Sequence, residues 1–319
     1  MTGKRILITG SCGYIGSALI RHLADRENAT LRLVDNLSTG HQSALLDLPG
    51  TATYEFIDGD ILDPGLLRLA VKDVDAVIHL AAVVRNPLSF DYSREFEQVN
   101  HWGTAHLVEA CIEAGVDHFV YVSSTAVYLP GEGLTEDSDT RPVGSFANSV
   151  LNAEQSVRAA NVRGLPATIL RSGVVYGLAP QTRFDEVVNR LISLAGTGRS
   201  LTVFGEGSQR RPVLHVDDLC NAIELVIDTQ KARHATFNVV ESSPSIDEIK
   251  DAIIAAGPQT RVRYTEQDLR TRLSYVVDGS KLGKLGWTPD RQLSESVSEM
   301  LGRFSGFIDW RTVDTVDFA

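Results

Sequence analysis

Three glycines and one carboxylate carry the first recognisable chemistry in this 319-residue chain. The stretch ITGSCGYIG places Gly10, Gly13 and Gly16 at GxxGxxG spacing, directly after an apolar run and at the mouth of a helical one. Glycines there permit a tight turn, and the helix behind them offers free N–H groups and a positive dipole end to a pyrophosphate. Tyr14 and Ile15, between the second and third glycines, fall within the same expected cofactor contact. Asp35 closes the next apolar run, where a carboxylate accepts hydrogen bonds from the hydroxyls of an adenosine ribose. Such a carboxylate repels a 2′-phosphate, and no Arg or Lys follows it through Gln42, so NAD is expected over NADP. The plainer reading is a strand–helix turn beside a solvated acid. The strand and helix around it favour the cofactor.

The elements that must hold these residues are legible as runs. KRILITG (4–10), TLRLVD (30–35), TYEFIDGD (53–60), DAVIHLAA (75–82), HFVYVSS (118–124) and PATILRSG (166–173) are nearly continuous in apolar residues. That pattern suits parallel strands buried on both faces. Helical patterns lie between them. One spans 14–26, with Ile15, Ala18, Leu19, His22 and Leu23 on one face. A longer one spans roughly 92–114, with Phe96, Val99, Leu107, Cys111 and Ala114 inward and Gly115 as its stop. A third opens at GSFANSVLNAEQ, where Phe146, Val150, Ala153 and Val157 share a face. Strand–helix alternation predicts an α/β fold, a doubly wound parallel sheet of Rossmann type, over residues 1–172. Beyond it the pattern loosens into short strands (201–204, 236–240, 261–264) and helices near 183–195, 216–229 and 246–256. These read as a smaller C-terminal substrate lobe, 173–212 and 241–319, with 213–240 returning to the large one.

Composition narrows the function classes. Hydrophobic residues at 43% and charged residues at 22% are those of a globular protein. A net charge of −11 argues against a nucleic-acid partner. Cys12, Cys111 and Cys220 are far apart, and the eight histidines form no pair at helical ligand spacing, so no metal is expected. Sparse cysteines fit a reducing compartment. The first strand starts about four residues in, which leaves no room for a signal peptide. No apolar run reaches the ~18 residues of a membrane span. Cytoplasmic residence is the expectation.

Seven segments in register then resemble the extended short-chain dehydrogenase/reductase family, in particular its NAD-dependent nucleotide-sugar epimerases and dehydratases, of the UDP-glucose 4-epimerase kind. They are VDNLSTG (34–40), DGDI (58–61), HLAA (79–82), VNHWGT (99–104), SSTAVY (123–128), FGEGSQRRPVLHVDDL (204–219) and LGWTP (285–289). The likeness covers about residues 4–290. It implies cofactor contacts at Asn36, Asp60, Ile61, Leu80, Ala81, Ala82, Asn100 and Ser123, an active-site hydroxyl at Ser124, and a substrate-diphosphate contact at Arg211. Tyr176 is a further candidate on the substrate side, although for it, as for Tyr128, core packing is the simpler reading. A homodimer through the helices near 92–114 and 146–163 is also implied.

The resemblance sharpens one departure. The family carries a YxxxK pair at the start of the helix after the Ser strand. Its lysine lowers the tyrosine pKa and holds the nicotinamide ribose, while tyrosinate takes the proton from the sugar hydroxyl. Anchored on the following Ala153-Glu154, those two catalytic positions here are Phe146 and Val150. Neither can carry charge or move a proton. Residues after Ser124 are Thr125-Ala126, without the Asp-Glu of sugar 4,6-dehydratases. The arginine of an RPGD-like segment is also missing, the aligned stretch being TEQD (265–268), with Arg261, Arg263, Arg270 and Arg272 nearby. Two readings follow. One is an NAD enzyme acting on a nucleotide sugar, with Ser145, Ser149, Tyr176 or a water replacing the tyrosinate. The other is an NAD-binding regulatory or scaffold protein that keeps the fold without the chemistry.

Overall fold

The computed structural model describes residues 3–26, 28–84, 93–257, 260–265, 273–304 and 306. In chain order the strands are β1 (Arg5–Thr9), β2 (Thr30–Asp35), β3 (Thr53–Asp58), β4 (Ala76–His79), β5 (His118–Ser124), β6 (Gly131–Leu134) and β7 (Ala167–Ser172). There follow β8 (Val174–Tyr176), β9 (Leu201–Phe204), β10 (Val213–His215), β11 (Thr236–Val239), β12 (Val262–Thr265) and β13 (Tyr275–Val277). The helices are α1 (Tyr14–Ala24), α2 (Pro64–Ala70), α3 (Ser93–Glu95), α4 (Thr104–Ala114) and α5 (Ser145–Val162). The second half adds α6 (Val187–Gly196), α7 (Val216–Asp228), α8 (Ile246–Ala256), α9 (Ser280–Gly283) and α10 (Leu293–Gly302). A π-helical stretch, Phe96–Gly103, joins α3 to α4.

Seven strands form one sheet in the order β11-β7-β5-β4-β1-β2-β3, every pair parallel. Strand order reverses between β1 and β4, which opens a crevice at the carboxyl ends, the place where such sheets take ligands. Apolar residues line both faces. Ile8, Leu33 and Phe237 pack with Leu19 of α1 and Ile223 of α7, while Leu7, Val77 and Phe119 pack with Leu107 of α4 and Ala153 of α5. A separate cluster of Val188, Leu191, Ile249, Ile253 and Val297 joins α6, α8 and α10.

The runs expected as strands and helices form, with instructive differences. β3 stops at Asp58 and is half exposed, because it is the edge strand and has a neighbour on one side only. β4 ends at His79, and the residues after it turn away to line the crevice. Ala114 faces solvent rather than the core, and α1 buries Tyr14, Ser17 and Ile20 beside the expected Leu19 and Leu23. α6 begins at Val187, not 183, since Asn189 accepts from Gly177 N–H (3.1 Å) and donates to the Arg183 carbonyl (2.9 Å), holding that stretch as a loop. Tyr92, Arg270, Arg272 and most of TEQD lie outside the described residues.

Two buried polar systems lock the layers. Glu154 of α5, fully buried, takes both forks of Arg171 of β7 (2.9 and 2.8 Å) and the hydroxyl proton of Ser123 of β5 (2.6 Å). Such bidentate charged contacts are strong and geometrically specific. His79 forms the second system. Its Nδ1 meets the Thr9 hydroxyl (2.6 Å) and its Nε2 meets the Thr104 hydroxyl (2.8 Å). Thr104 in turn donates to the Asn100 carbonyl (2.5 Å), so His79 carries its proton on Nε2.

Removing one partner of the buried ion pair, as in Glu154→Ala or Arg171→Ala, is expected to lower unfolding stability by about 3–5 kcal/mol in urea titrations. Burial lowers the His79 pKa from 6.5 to about 3. The folded-state pKa is depressed, so this histidine contributes stability that is fully present above pH 6.5 and is lost as pH falls toward 3. NMR titration should show its ring neutral at pH 5, where an exposed histidine is charged.

Candidate active site

A single cleft of about 1190 Å³ runs along the carboxyl ends of the sheet strands. It exceeds the roughly 300–1,000 Å³ that commonly house one small ligand. Its floor begins at the glycine loop. Gly10 has φ +70, and a Cβ there would lie 2.7 Å from the backbone nitrogen of Ala81. A Cβ on Gly16 would lie 2.2 Å from the Gly10 carbonyl oxygen. α1 starts after Gly13 with no side-chain cap and no acidic residue in its first turn, which leaves its N–H groups and dipole open to an anion.

Asp35 stands at the end of β2 with its carboxylate turned back on the loop. One oxygen accepts from Cys12 N–H and the other from Leu37 N–H, both at 2.8 Å. Each oxygen keeps a lone pair for a further donor. Asn36 donates to Asp60 (2.9 Å), whose other oxygen accepts from Leu62 N–H (2.8 Å). Ile61, Leu80, Ala81 and Ala82 complete this half of the lining, with Tyr14 and Ile15. The Tyr14 hydroxyl itself donates to the Gly177 carbonyl (2.7 Å) and is not free for a ligand.

The other half gathers Ser123, Ser124, Ser145, Phe146, Val150 and Arg211. Ser124 accepts from Ala126 N–H (3.2 Å), so its own proton remains available to a ligand oxygen. Ser123 has given its proton to Glu154 and can only accept. Phe146 rests edge-on against Phe96 with ring centroids 5.8 Å apart. Val150 is buried one turn further along the same face. Arg211 donates to the Arg210 and Leu273 carbonyls, and burial pushes its pKa down. Among the described residues no carboxylate pairs with it, so it meets the cleft as an unneutralised cation.

Three expected site residues stand elsewhere. Asn100 is buried behind the wall. Its side chain holds both backbone groups of Val83 (2.8 and 3.1 Å) and the Ser149 hydroxyl (3.1 Å), so it shapes the wall and does not line the cleft. Ser149 spends its proton on the Phe146 carbonyl (2.8 Å) and is likewise outside the lining. Tyr176 is fully buried, its hydroxyl donating to Glu241 (2.6 Å) away from the cleft. Tyr128 packs in the core as expected, under Arg171, with its hydroxyl on Asn238 (2.6 Å).

Sequence reading missed Tyr121, Arg183, Glu186 and Tyr275, all of which line the cleft. Arg183 answers Asp185 (2.6 Å) and Glu186 (3.2 Å). Burial raises the Glu186 pKa, opposed by Arg183. Tyr121 reads as core within its strand, Arg183 and Glu186 fall in the stretch expected as a helix, and Tyr275 lies in a segment with no expected element, so their types alone gave no signal.

The glycine cradle, the open helix N-terminus and the spare lone pairs of Asp35 fit a dinucleotide. Comparison with known proteins agrees. The family described as "NAD dependent epimerase/dehydratase family" matches residues 6–239. The dTDP-D-glucose 4,6-dehydratase of Homo sapiens is 30% identical over 98% of this chain and 93% of its own. A solved UDP-N-acetylglucosamine 4-epimerase from Methanobrevibacter ruminantium M1 superposes with TM-score 0.86 at 26% identity, covering 95% of this chain and 99% of that one. The dTDP-glucose 4,6-dehydratase DesIV of Streptomyces venezuelae, solved with NAD bound, gives 0.84 at 26% identity, covering 94% and 96%. Asp35→Ala is expected to weaken NAD binding roughly ten- to a hundredfold, as for loss of hydrogen bonds to a charged group. Isothermal titration checks it, and unchanged affinity would remove Asp35 from the ribose.

Proposed function

We propose that this chain, which belongs to the NAD dependent epimerase/dehydratase family and takes NAD as its cofactor, acts by hydride transfer at a carbinol carbon of a nucleotide sugar, with an altered proton path. The observation that carries this reading is the continuity of one cleft from the glycine loop and Asp35, past Ser124, to Arg211. NAD, when bound, supplies the hydride acceptor. The loop N–H groups hold its pyrophosphate, and Asp35 and Asp60 hold its adenosine side. Arg211, a cation without a carboxylate partner among the described residues, receives the diphosphate of the substrate. Ser124 donates its free proton to the reacting oxygen and orients it. Phe146 and Val150 keep that part of the cleft apolar.

The proton leaving the sugar hydroxyl needs another acceptor than a tyrosinate. Glu186 takes that role in this reading. It lines the cleft, and burial raises its pKa against the pull of Arg183, 3.2 Å away. Epimerisation is favoured over 4,6-dehydration because Thr125 and Ala126, after Ser124, offer no carboxyl group, although several of the relatives are named as dehydratases. A homodimer through α4 and α5 belongs to the same proposal.

One observation favours a second reading. Phe146 and Val150 are both apolar and both line the cleft, at the positions that the sequence resemblance aligns with the family's acid–base pair. A protein that binds NAD without turning sugars over would have this wall. The two readings part on one experiment. Purified protein is mixed with NAD and a panel of UDP- and dTDP-sugars, and absorbance of reduced nicotinamide and sugar products are followed. Turnover that Glu186→Gln abolishes, with NAD binding intact, is expected from the enzyme reading. NAD binding with no turnover of any sugar supports the silent one. In the enzyme reading Phe146→Tyr with Val150→Lys is expected to raise hydride transfer by roughly 10²–10⁴-fold, the usual weight of general acid–base catalysis, and in the silent reading to make it detectable. A double variant that binds NAD and never reduces it would put the substrate class in error.

A further inference from the structure

Tyr121 sits on β5 three residues before Ser124 and belongs to the cluster that α5 covers, with Ala153 and Val157. Its ring stacks on His79 with centroids 5.7 Å apart. Only 5% of the residue is exposed, yet it lines the cleft together with Ala147 and Val150. A buried phenol usually finds a hydrogen-bond partner. Among the described residues the Tyr121 hydroxyl has none, and the atom is not sealed away from the cleft. It is an unpartnered polar group on a residue that lines the cleft.

The position of the ligand follows from the sheet. Pyrophosphate belongs at the glycine loop after β1, and the adenosine side belongs at Asp35 and Asp60, over β2 and β3. The remaining half of a dinucleotide must therefore extend over β4 and β5, past Ala81, Ala82 and Tyr121, toward Ser124. The first group it presents beyond the pyrophosphate is the second ribose. By the sequence resemblance the family holds that ribose with a lysine at the position of Val150, and a valine side chain offers no donor.

We propose that the Tyr121 hydroxyl donates a hydrogen bond to a hydroxyl of the nicotinamide-side ribose of NAD, taking over the ribose contact that Val150 cannot make. Burial and the nearby Glu154 hold its pKa well above the ordinary tyrosine value, so the phenol stays protonated and serves as a donor, never as a base. Tyr121 is in this sense a cofactor-binding residue and leaves the question of the proton acceptor untouched. The inference needs NAD binding only and stands whether or not a sugar is turned over.

Tyr121→Phe keeps the ring, its stacking and its packing and removes the hydroxyl alone. Titrations of wild type and variant with NAD, ADP-ribose and ADP separate the parts of the cofactor. Loss of one neutral hydrogen bond is expected to weaken NAD and ADP-ribose roughly three- to tenfold. ADP, which lacks the second ribose, should bind both proteins alike, and the melting temperature should not fall. NAD and ADP-ribose bound as tightly by Tyr121→Phe as by wild type would overturn the inference. So would weakening of all three ligands together, which marks a general loosening of the cleft, or weakening of NAD alone, which moves the contact to the nicotinamide.

Discussion

The geometry of the cleft rests on one buried carboxylate. Glu154 binds Arg171 of β7 through both oxygens and takes the Ser123 proton from β5, so three neighbouring elements share a single anchor. Because Glu154 lies four residues after Val150 and eight after Phe146, it sets the rotation of α5 for all three. The helix cannot turn Phe146 and Val150 away without tearing a charge from its partner in a dry interior. Their place in the cleft is thus a consequence of the scaffold, independent of what their side chains can do. That independence lets the side chains at these two positions vary while the cofactor half keeps its shape.

The second anchor works on the same face of the sheet, under the neighbouring helix. His79 bridges Thr9 on β1 and Thr104 on α4, and Asn100 clamps Val83 and Ser149 from within the π-helical stretch. A π-helical segment widens the turn, and such segments are frequent near functional sites. Here the widened turn brings a buried amide against a loop and a neighbouring helix at once. The wall that carries Ala81, Ala82 and Val83 is therefore fixed by side chains that never touch the cleft.

Much of this was readable before any coordinates. Strands of the large sheet show as β-branched runs because both of their faces are buried, and the glycine loop shows because its backbone cannot tolerate a Cβ. α8 runs from Ile246 to Ala256 as the sequence pattern implied, helped by the capping box of Ser245 and Glu248. What escaped reading depends on partners distant in sequence. Tyr176 reads as core packing or a substrate-side contact, and Glu241, 65 residues on, decides it by taking the hydroxyl. Asn100 carries a motif that suggests a ligand, and its partners are Val83 and Ser149. β6 and β13 pair although GEGL has no strand pattern, since the pairing is decided by where Tyr275 and Val277 arrive. Tyr121 is the subtlest case. It reads as core and is core, except for one oxygen atom.

The closing strand of the sheet has a different kind of importance. β11 pairs with β7, but 63 residues separate the end of one from the start of the other. Between them the chain builds β8, α6, β9, β10 and α7 before it returns. During synthesis the first six strands of the sheet therefore emerge with the β7 edge unpaired, and that edge carries Ile169, Leu170 and Arg171. An open apolar edge is a template for pairing with another chain. A fragment cut after Ser172 would keep the whole glycine loop and still be a poor soluble carrier of it. The β7 edge is covered only once the chain has run on to Val239 and β11 has paired with it.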